Sequence, residues 1–306
     1  ELYGVGRRSR SDVAICYISD SVDQSVLNRM RKLIQSIDVD ALTMNIESLA
    51  ECMFTHKWIN PFPKFKYSER PDTATAAILD GNIVIMVDNS PAVMIIPASI
   101  FDIIEEADDF NFSPMIGSYL RITRFFFSIV TWILTPLWLL FVNNPDWVPE
   151  FMKFVLITDD ITVPVLLQLL ILELAVDGLK LAAVNTPTML STPLSIVAGI
   201  VVGEYAVSSG WFNPEALLYM AVVTVGTYGQ TNFEMGYAFK FLRVLTLILT
   251  QIFNLGGFIA GVVISVLMIA FNRTITGKSY IYPLIPWDGK MLKRKVLRVR
   301  LPHSYK

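Results

Sequence analysis

Three charged side chains lie inside a very apolar stretch of the chain, LLQLLILELAVDGLKLAAVNTP at residues 166–187. They are Glu173, Asp177 and Lys180, and all three fall on one face of a helix. Lys180 follows Asp177 by three residues, which is a spacing at which helical side chains can pair. Ionisable groups within a membrane are rare, and they mark ion paths, proton relays or buried ion pairs. These three charged residues therefore indicate a function that depends on charge within an apolar segment.

The sequence leaves three arrangements of this charged face open. It can line an aqueous path, it can be the wet side of an interfacial helix, or its charges can hold helices together as a buried pair. For Glu173 and Asp177, an aqueous path would attract cations, since acidic side chains suit cation pores. Glu204 lies late in another apolar segment, and it is either a second path residue or a carboxylate near a helix end.

Motifs of common catalytic sites are missing from the sequence. It contains neither a G-x-x-x-x-G-K-[ST] phosphate loop nor G-x-G-x-x-G or G-x-S-x-G. Its two histidines, His56 and His303, are far apart and show no metal-ligand spacing with Cys16 and Cys52. We therefore expect no enzymatic activity, no cofactor and no metal site. Two cysteines give no disulfide framework, which favours a reducing compartment.

The charges divide the 306 residues into three parts. Residues 1–118 carry 10 basic and 17 acidic side chains, residues 119–271 carry 6 and 9, and residues 272–306 carry 9 and 1. With 53% hydrophobic residues overall, this pattern predicts an α+β soluble domain, an all-α polytopic membrane domain and a basic tail. The tail fits the positive-inside rule and anionic lipid, so we expect a lipid bilayer and no nucleic acid as partner.

Periodicity in the first part predicts a short order of elements. A strand is expected at residues 12–19, and helices at 22–37, 46–54 and 98–106. Ser21 and Gln24 form a capping box at the start of the first helix. Asp80-Gly81 predicts a hairpin turn and residues 88–91 a second turn, so three antiparallel strands are expected before the last helix.

The second part contains four segments that predict membrane spans, at residues 125–142, 194–208, 215–228 and 244–271. The last segment exceeds the thickness of one bilayer core, so we expect it to tilt or to break at Asn254–Gly257. Arg121 and Arg124 precede the first span and the basic tail follows the last, which places both termini in the cytoplasm. Four crossings satisfy this, so residues 161–184 are expected to be re-entrant or interfacial.

Several motifs resemble those of the spore germination receptor A-subunit family, in the family's order. SERPDTATAAILDGNIVIMVDNSPAVMIIP is similar to its signature T-E-R-P-D…L-x-G-x-x-x-I-x-V-D-G-x-P, with Asn89 in the place of a glycine. The matching residues are Glu69, Arg70, Pro71, Asp72, Gly81, Asp88 and Pro91. GSYLRITRFF resembles the R-x-x-R motif before the first span, at Arg121 and Arg124. Glu173 fits the family's E-L-L-R-E-A-G-x-R-x-P motif, whereas Asp177 and Lys180 replace its second Glu and second Arg.

This resemblance implies a multi-pass protein of the spore inner membrane that acts in germination. It implies homo-oligomers that conduct ions together with other germination subunits, and a first cytoplasmic subdomain upstream of Glu1. Gly199-x-x-x-Gly203 and Gly257-x-x-x-Gly261 allow helices to approach closely, which fits an oligomer. Two alternatives stay open: a non-conducting scaffold or signal-relay subunit, and a component that releases small-molecule anions.

Overall fold

The computed structural model describes residues 1–44, 46–54, 60–185, 199–277 and 279–298. The chain forms two compact units. The first unit combines Glu1–Ile122 with Leu267–Lys306, and the second is Thr123–Val266. The chain thus leaves the first unit once and returns to it once. 

The described strands belong to one five-stranded antiparallel sheet in the first unit. They are β1 (Leu2–Val5), β2 (Ser11–Cys16), β3 (Lys66–Ser68), β4 (Ile83–Val87) and β5 (Val93–Ile96), and the order in the sheet is β1-β2-β4-β5-β3. Val13 lies opposite Val87, and Ile15 lies opposite Ile85. These β-branched side chains are buried, which favours the strand conformation. The predicted small α+β unit is confirmed.

Ten helices lie in the described ranges: α1 (Gln24–Gln35), α2 (Ile46–Met53), α3 (Pro71–Leu79), α4 (Ile100–Ile104), α5 (Pro114–Asn143), α6 (Val165–Asn185), α7 (Ala206–Ser208), α8 (Pro214–Tyr228), α9 (Phe233–Ala270) and α10 (Gly289–Val296). Shorter 3-10 turns cover Ala107–Asn111, Pro145–Trp147 and Glu150–Val155, and Gly199–Tyr205 is a π-helix. In the first unit, α1 and α2 pack on one face of the sheet. On the other face α3 packs Ala74 and Ala77 against Val84 and Ile95.

The segment before Asp80 corrects the prediction of three strands, because it is the helix α3. Pro71 occupies the first turn, where its missing N–H costs nothing, and the alanines that follow favour a helix. Asp80 is therefore a helix C-cap, and Gly81 turns the chain into β4 with a φ of +86°. A Cβ on Gly81 would lie 2.6 Å from the carbonyl oxygen of Ser21, so only glycine fits this turn.

The start of α1 also differs from the prediction. Its N-cap is Asp23, whose Oδ1 accepts a hydrogen bond of 3.0 Å from the Ser25 backbone N–H. Ser21 lies too early, and Gln24, expected to complete its capping box, instead donates its side-chain amide to the carbonyl oxygen of Ser19. The edge strands β1 and β3 were not predicted, because their short sequences lack an apolar run.

The second unit is a bundle in which side-chain contacts fix the direction of each helix. Arg243 of α9 contacts Thr131 of α5, and Asn254 contacts Asn144, so these two helices run in the same direction. α6 runs against them, because its Glu173 and Asp177 meet Arg243 and Lys240. α8 is parallel to α6: Gln168 bonds to Asn213 at its start and Lys180 lies over Tyr228 at its end. We call the two ends of the bundle the Asn144 end and the Tyr228 end.

These contacts bear on residues 161–184, which were expected to be re-entrant or interfacial: they contradict a re-entrant turn, whereas the interfacial alternative stays a prediction. α6 is continuous from Val165 to Asn185, and its two ends meet opposite ends of the bundle. Its 21 residues extend over about 31 Å, so it runs the length of the unit instead of returning. Residues 186–198, which include the start of the predicted span at 194–208, lie outside the described residues.

The chain reverses inside α9. Asn254 has non-helical angles, φ 52° and ψ −129°, and a Cβ on Gly261 would lie 2.8 Å from Thr246 Cγ2. In a straight helix these two residues would be about 22 Å apart, so residues 255–270 fold back along residues 233–253. The predicted break at Asn254–Gly257 is confirmed. The side-chain amides of Asn144 and Asn254 exchange hydrogen bonds of 2.6 and 2.9 Å, which hold the reversal to the end of α5.

Two of the described helices, Pro114–Asn143 and Phe233–Ala270, are long and apolar enough to cross a membrane. α6 carries three charges and α8 has only 15 residues. The predicted number of four spans is therefore not established by helix length and composition.

A valine at Gly261 tests the packed reversal. Replacing Gly261 by Val should drive its side chain into Thr246 and destabilise the protein by about 1–3 kcal/mol through overpacking. Gly256→Val is the matched control, because a Cβ there meets no atom within 4 Å. Thermal unfolding in detergent measures both variants. Equal unfolding temperatures for the two valine variants would contradict the folded-back arrangement.

Candidate functional site

A cluster of four charged side chains lies inside the helical bundle. Glu173 and Asp177 come from α6, and Lys240 and Arg243 come from α9. Arg243 Nε donates a hydrogen bond of 2.5 Å to Glu173 Oε1, and Lys240 Nζ pairs with Asp177 Oδ2. Lys240 Nζ also lies 3.5 Å from Glu173 Oε2. Glu173 is 4% exposed and Arg243 2%, so this ion pair is almost fully withdrawn from solvent.

Backbone oxygens complete the cluster and join three helices. Arg243 Nη1 donates to the carbonyl oxygen of Thr131 on α5, and Lys240 Nζ donates to that of Glu173 at 3.1 Å. Two acids thus face two bases, and the group is formally neutral. A buried ion pair repays its desolvation only when further hydrogen bonds satisfy both partners, and these carbonyl oxygens supply them. Asp177 Oδ1 differs, since it is buried and receives no hydrogen bond within the described part of the chain.

The structure places the three predicted charges of α6 differently from one another. Asp177 pairs with Lys240 of the facing helix instead of with Lys180. The ammonium of Lys180 lies over the rings of Tyr228, at 5.0 Å, and Tyr237, at 5.4 Å. Glu173 and Asp177 thus adopt the buried-pair arrangement within one chain. That they face an aqueous path stays a prediction.

A polar seam continues from the cluster to the Tyr228 end. A cavity of about 50 Å³ lies there, lined among others by Lys180, Lys240, Gln230, Asn232 and Thr227. Towards the Asn144 end the bundle is instead packed with buried apolar side chains: Trp138, Leu139, Val165, Leu169, Leu172, Phe212, Ala216, Met220 and Leu247. The polar seam therefore extends through only part of the bundle and stops at an apolar layer.

Glu204 is not part of the cluster. It lies in the π-helix Gly199–Tyr205, and its residue is exposed. π-Helical turns are rare and are frequent at functional sites. Glu204 is therefore an exposed acid that lies apart from the paired acids Glu173 and Asp177.

Lys240 and Arg243 are the members of the cluster that sequence reasoning missed. Both lie just before the predicted span at 244–271. That span was defined as an uncharged stretch, so its start was placed after these two bases. A usable signal exists: the two bases are three residues apart, the two acids are four apart, and both pairs occupy one helical face. Matching such complementary pairs between apolar segments would have found the cluster.

Signature residues in the first unit mostly build turns and ion pairs. Arg70 is the N-cap of α3 and pairs with Asp72 and Asp108. The hydrogen bond from Arg70 lowers the pKa of Asp72 to about 2. Pro71 opens α3, and the side chain of Glu69 is exposed.

The turn between β4 and β5 contains the remaining part of the signature. Asp88 Oδ1 accepts a hydrogen bond of 2.9 Å from the Asn89 backbone N–H. Asn89 has a φ of +58°, a left-handed conformation that Asn tolerates and glycine adopts freely. This explains the replacement of the signature glycine. Pro91 follows in the same turn and is exposed.

Arg121 is a buried hub of the first unit. Its Nη2 pairs with Glu105 Oε1 at 2.5 Å, its Nε lies 3.3 Å from Asp109 Oδ2, and its Nη1 donates to the carbonyl oxygen of Arg294 at 3.1 Å. Glu105 also lies 3.5 Å from Lys295 of α10. Arg124, the second arginine of the motif, is half-buried, and its carbonyl oxygen accepts a hydrogen bond from Ser128.

Removing one base tests the strength of the buried cluster. Lys240→Met should destabilise the protein by about 2 kcal/mol or more, because it leaves Asp177 without its counter-charge. The double variant Lys240→Met/Asp177→Asn should recover part of this loss. Lys153→Met is the control, because Lys153 forms a solvent-exposed ion pair with Glu150 and its loss should change the stability little. Thermal unfolding is the measurement, and equal effects of both lysine variants would contradict a buried cluster.

Comparisons with known proteins point to the same family as the signature residues. The family model described as Bacillus/Clostridium GerA spore germination protein matches residues 1–306. The chain is 36% identical to Stage V sporulation protein AF of Bacillus subtilis (strain 168), over 97% of this chain and 60% of that protein. It is 26% identical to Spore germination protein GerLA of Bacillus cereus, over 97% and 60% respectively. The chain thus spans about 60% of the length of these relatives.

One solved structure is similar in sequence to part of the chain. It is the N-terminal domain of the A subunit of the Bacillus megaterium spore germinant receptor GerK3, at 32% identity over 31% of this chain and 74% of that one, with a TM-score of 0.24. The family model covers the whole chain, and the resemblance read from the motifs is confirmed. The chain belongs to the GerA family of spore germination proteins.

Proposed function

We propose that this chain is a subunit of an oligomeric cation channel in the spore inner membrane that opens during germination. The single observation that carries the proposal is the polar seam, from Glu173 and Arg243 at the middle of the bundle to the cavity beside Lys180. Ionisable side chains at membrane depth are expensive, and they are candidates for a functional site by default. Germination receptor subunits are the expected partners.

Six crossings of the membrane are the topology that the helix directions support. α5 and residues 233–253 run one way, whereas α6, α8 and residues 255–270 run the other. α6 ends at the Tyr228 end and α8 begins at the Asn144 end, so the six-crossing proposal includes one further passage between these two helices. Both termini lie on one side in this scheme, which agrees with a first unit built from both ends of the chain. The basic tail favours the cytoplasmic, core-facing side.

The apolar layer at the Asn144 end supports a closed state of the path. Water-filled paths can be gated by apolar constrictions that exclude water. In this proposal, residues such as Trp138, Leu169 and Leu247 seal the seam in a single closed subunit. Opening separates α5, α6 and α9 enough for water to reach Glu173, and neighbouring copies complete the wall of the pore. Glu204 lies outside the seam and is a further acid available to attract cations.

A non-conducting scaffold or relay is the second candidate, and one observation favours it. Glu173 and Asp177 are both paired with bases of α9, so their negative charges are neutralised within the bundle. A cluster of this kind can also serve only to fix how the helices pack. Conductance separates the two functions.

Single-cysteine labelling tests the six crossings. In a Cys16→Ser/Cys52→Ser background, a cysteine at Ser209 should label from the same side as one at Asn144, and a cysteine at Thr231 from the opposite side. A four-crossing chain with a re-entrant segment gives the reverse pattern for Ser209 and Thr231. Membrane-impermeant maleimide on oriented vesicles measures this, and the reverse pattern would refute the six-crossing scheme.

Conductance in a planar bilayer tests the channel itself. The purified chain should conduct monovalent cations, and Lys180→Met should raise the cation-to-anion permeability ratio about three- to tenfold, because a positive charge beside the path is removed. Lys153→Met is the control and should leave the ratio unchanged. A protein that assembles without conducting would support the scaffold. If the protein conducts and Lys180→Met leaves the permeability ratio unchanged, the ion path does not pass beside Lys180.

A further inference from the structure

The first unit contains a cavity that none of the functions above uses. It measures about 270 Å³ and lies beside α3, between the signature segment and α4. Its apolar wall is formed by Ala76, Ala77, Ile95, Pro97 and Ala98. A cavity of this size accommodates a small molecule, and a mixed wall with a few polar groups is typical of ligand sites.

Charged groups line the rest of this cavity, and acids outnumber bases. Five carboxylates, Asp72, Asp80, Asp102, Glu105 and Glu106, face two ammonium groups, Lys66 and Lys295. Most of these acids are already paired. Asp72 pairs with Arg70, Asp102 and Glu105 pair with Lys295, and Glu105 also pairs with Arg121.

Asp80 and Glu106 differ from the other three acids, because no ion pair to either is found within the described ranges. Asp80 stands at the end of α3, beside Asn82. Asp80 is exposed at the rim of the cavity, and partial desolvation raises its pKa above the usual value, outweighing the nearby positive charges of Lys295 and Arg294. Lys66 offsets one of these two charges at most, and its ammonium already donates to the carbonyl oxygen of Glu105 at 2.8 Å. The lining therefore carries more negative than positive charge.

We propose that this cavity binds a small organic cation, with a primary ammonium group against Asp80 and an apolar body against Ala76, Ala77 and Pro97. An ammonium group supplies the hydrogen-bond donors that Asp80 and Asn82 can accept, and its charge offsets the excess of carboxylates. The apolar wall favours an organic body over a hydrated inorganic ion. Among the residues that the structure describes, no three His, Cys, Asp or Glu side chains are grouped to hold a metal ion.

The position of the cavity also suggests what its occupant could influence. Glu105 lines the cavity, and the same carboxylate pairs with Arg121 in α5 and Lys295 in α10. A bound cation that attracts Glu105 would weaken both pairs. Binding itself is independent of whether the chain conducts, so the two proposals can fail separately.

Titration of the chain of residues 1–306 in detergent with cyclopentylammonium tests the site, with cyclopentanol and cyclopentanecarboxylate as matched probes. The amine should bind saturably, and the alcohol and the carboxylate at least tenfold more weakly. Asp80→Asn keeps the shape and should raise the Kd of the amine about tenfold or more, through loss of one charge-assisted hydrogen bond. Asp38→Asn, at an exposed ion pair with Arg7, is the control and should leave the Kd unchanged.

A second variant guards against a folding defect at Asp80. Ala76→Leu fills the apolar wall and should abolish amine binding while the protein unfolds at its normal temperature. Equal binding of the three probes, an unchanged Kd in folded Asp80→Asn, or full binding to Ala76→Leu would each overturn the proposal.

Discussion

The ion pair between Glu173 and Arg243 is the constraint on which the arrangement of the second unit depends. Each partner is almost fully buried, and an unpaired charge at that depth would cost several kcal/mol. Together with the pair between Asp177 and Lys240, this ion pair sets α6 and α9 in opposite directions, and the bond from Arg243 to Thr131 brings α5 to the same point. Helices that are otherwise apolar, and free to slide along one another, thereby obtain one register.

The reversal at Asn254 has an equally large effect on topology. Without it, residues 233–270 would be one long span, and α6 could cross only if the basic tail were exported. In the six-crossing proposal, the segment counts as two passages because of this reversal, so that α6 can cross while both ends of the chain stay on one side. The reciprocal amide bonds between Asn144 and Asn254 and the glycines facing Thr246 and Leu249 make the reversal tight.

The sequence predicted those elements that are determined by residues close together in the chain. The apolar run of β4, the helix α4 and the break at Asn254 could all be predicted from neighbouring residues. The helix α3 was missed because an alanine-rich run before Asp-Gly fits a strand and a helix alike, and Pro71 decides it. Lys240 and Arg243 were missed because their partners lie more than 60 residues away. The direction of α6 depends on those same contacts, so it could not be predicted either.

A double-mutant cycle between Glu173 and Arg243 tests the central claim most directly. Glu173→Gln, Arg243→Gln and the double variant are unfolded in the same detergent, and the coupling free energy is obtained from the four stabilities. The buried pair predicts that the double variant is more stable than the sum of the single changes by about 2 kcal/mol or more. Additivity to within about 0.5 kcal/mol would show that the two side chains do not interact, and would contradict the account.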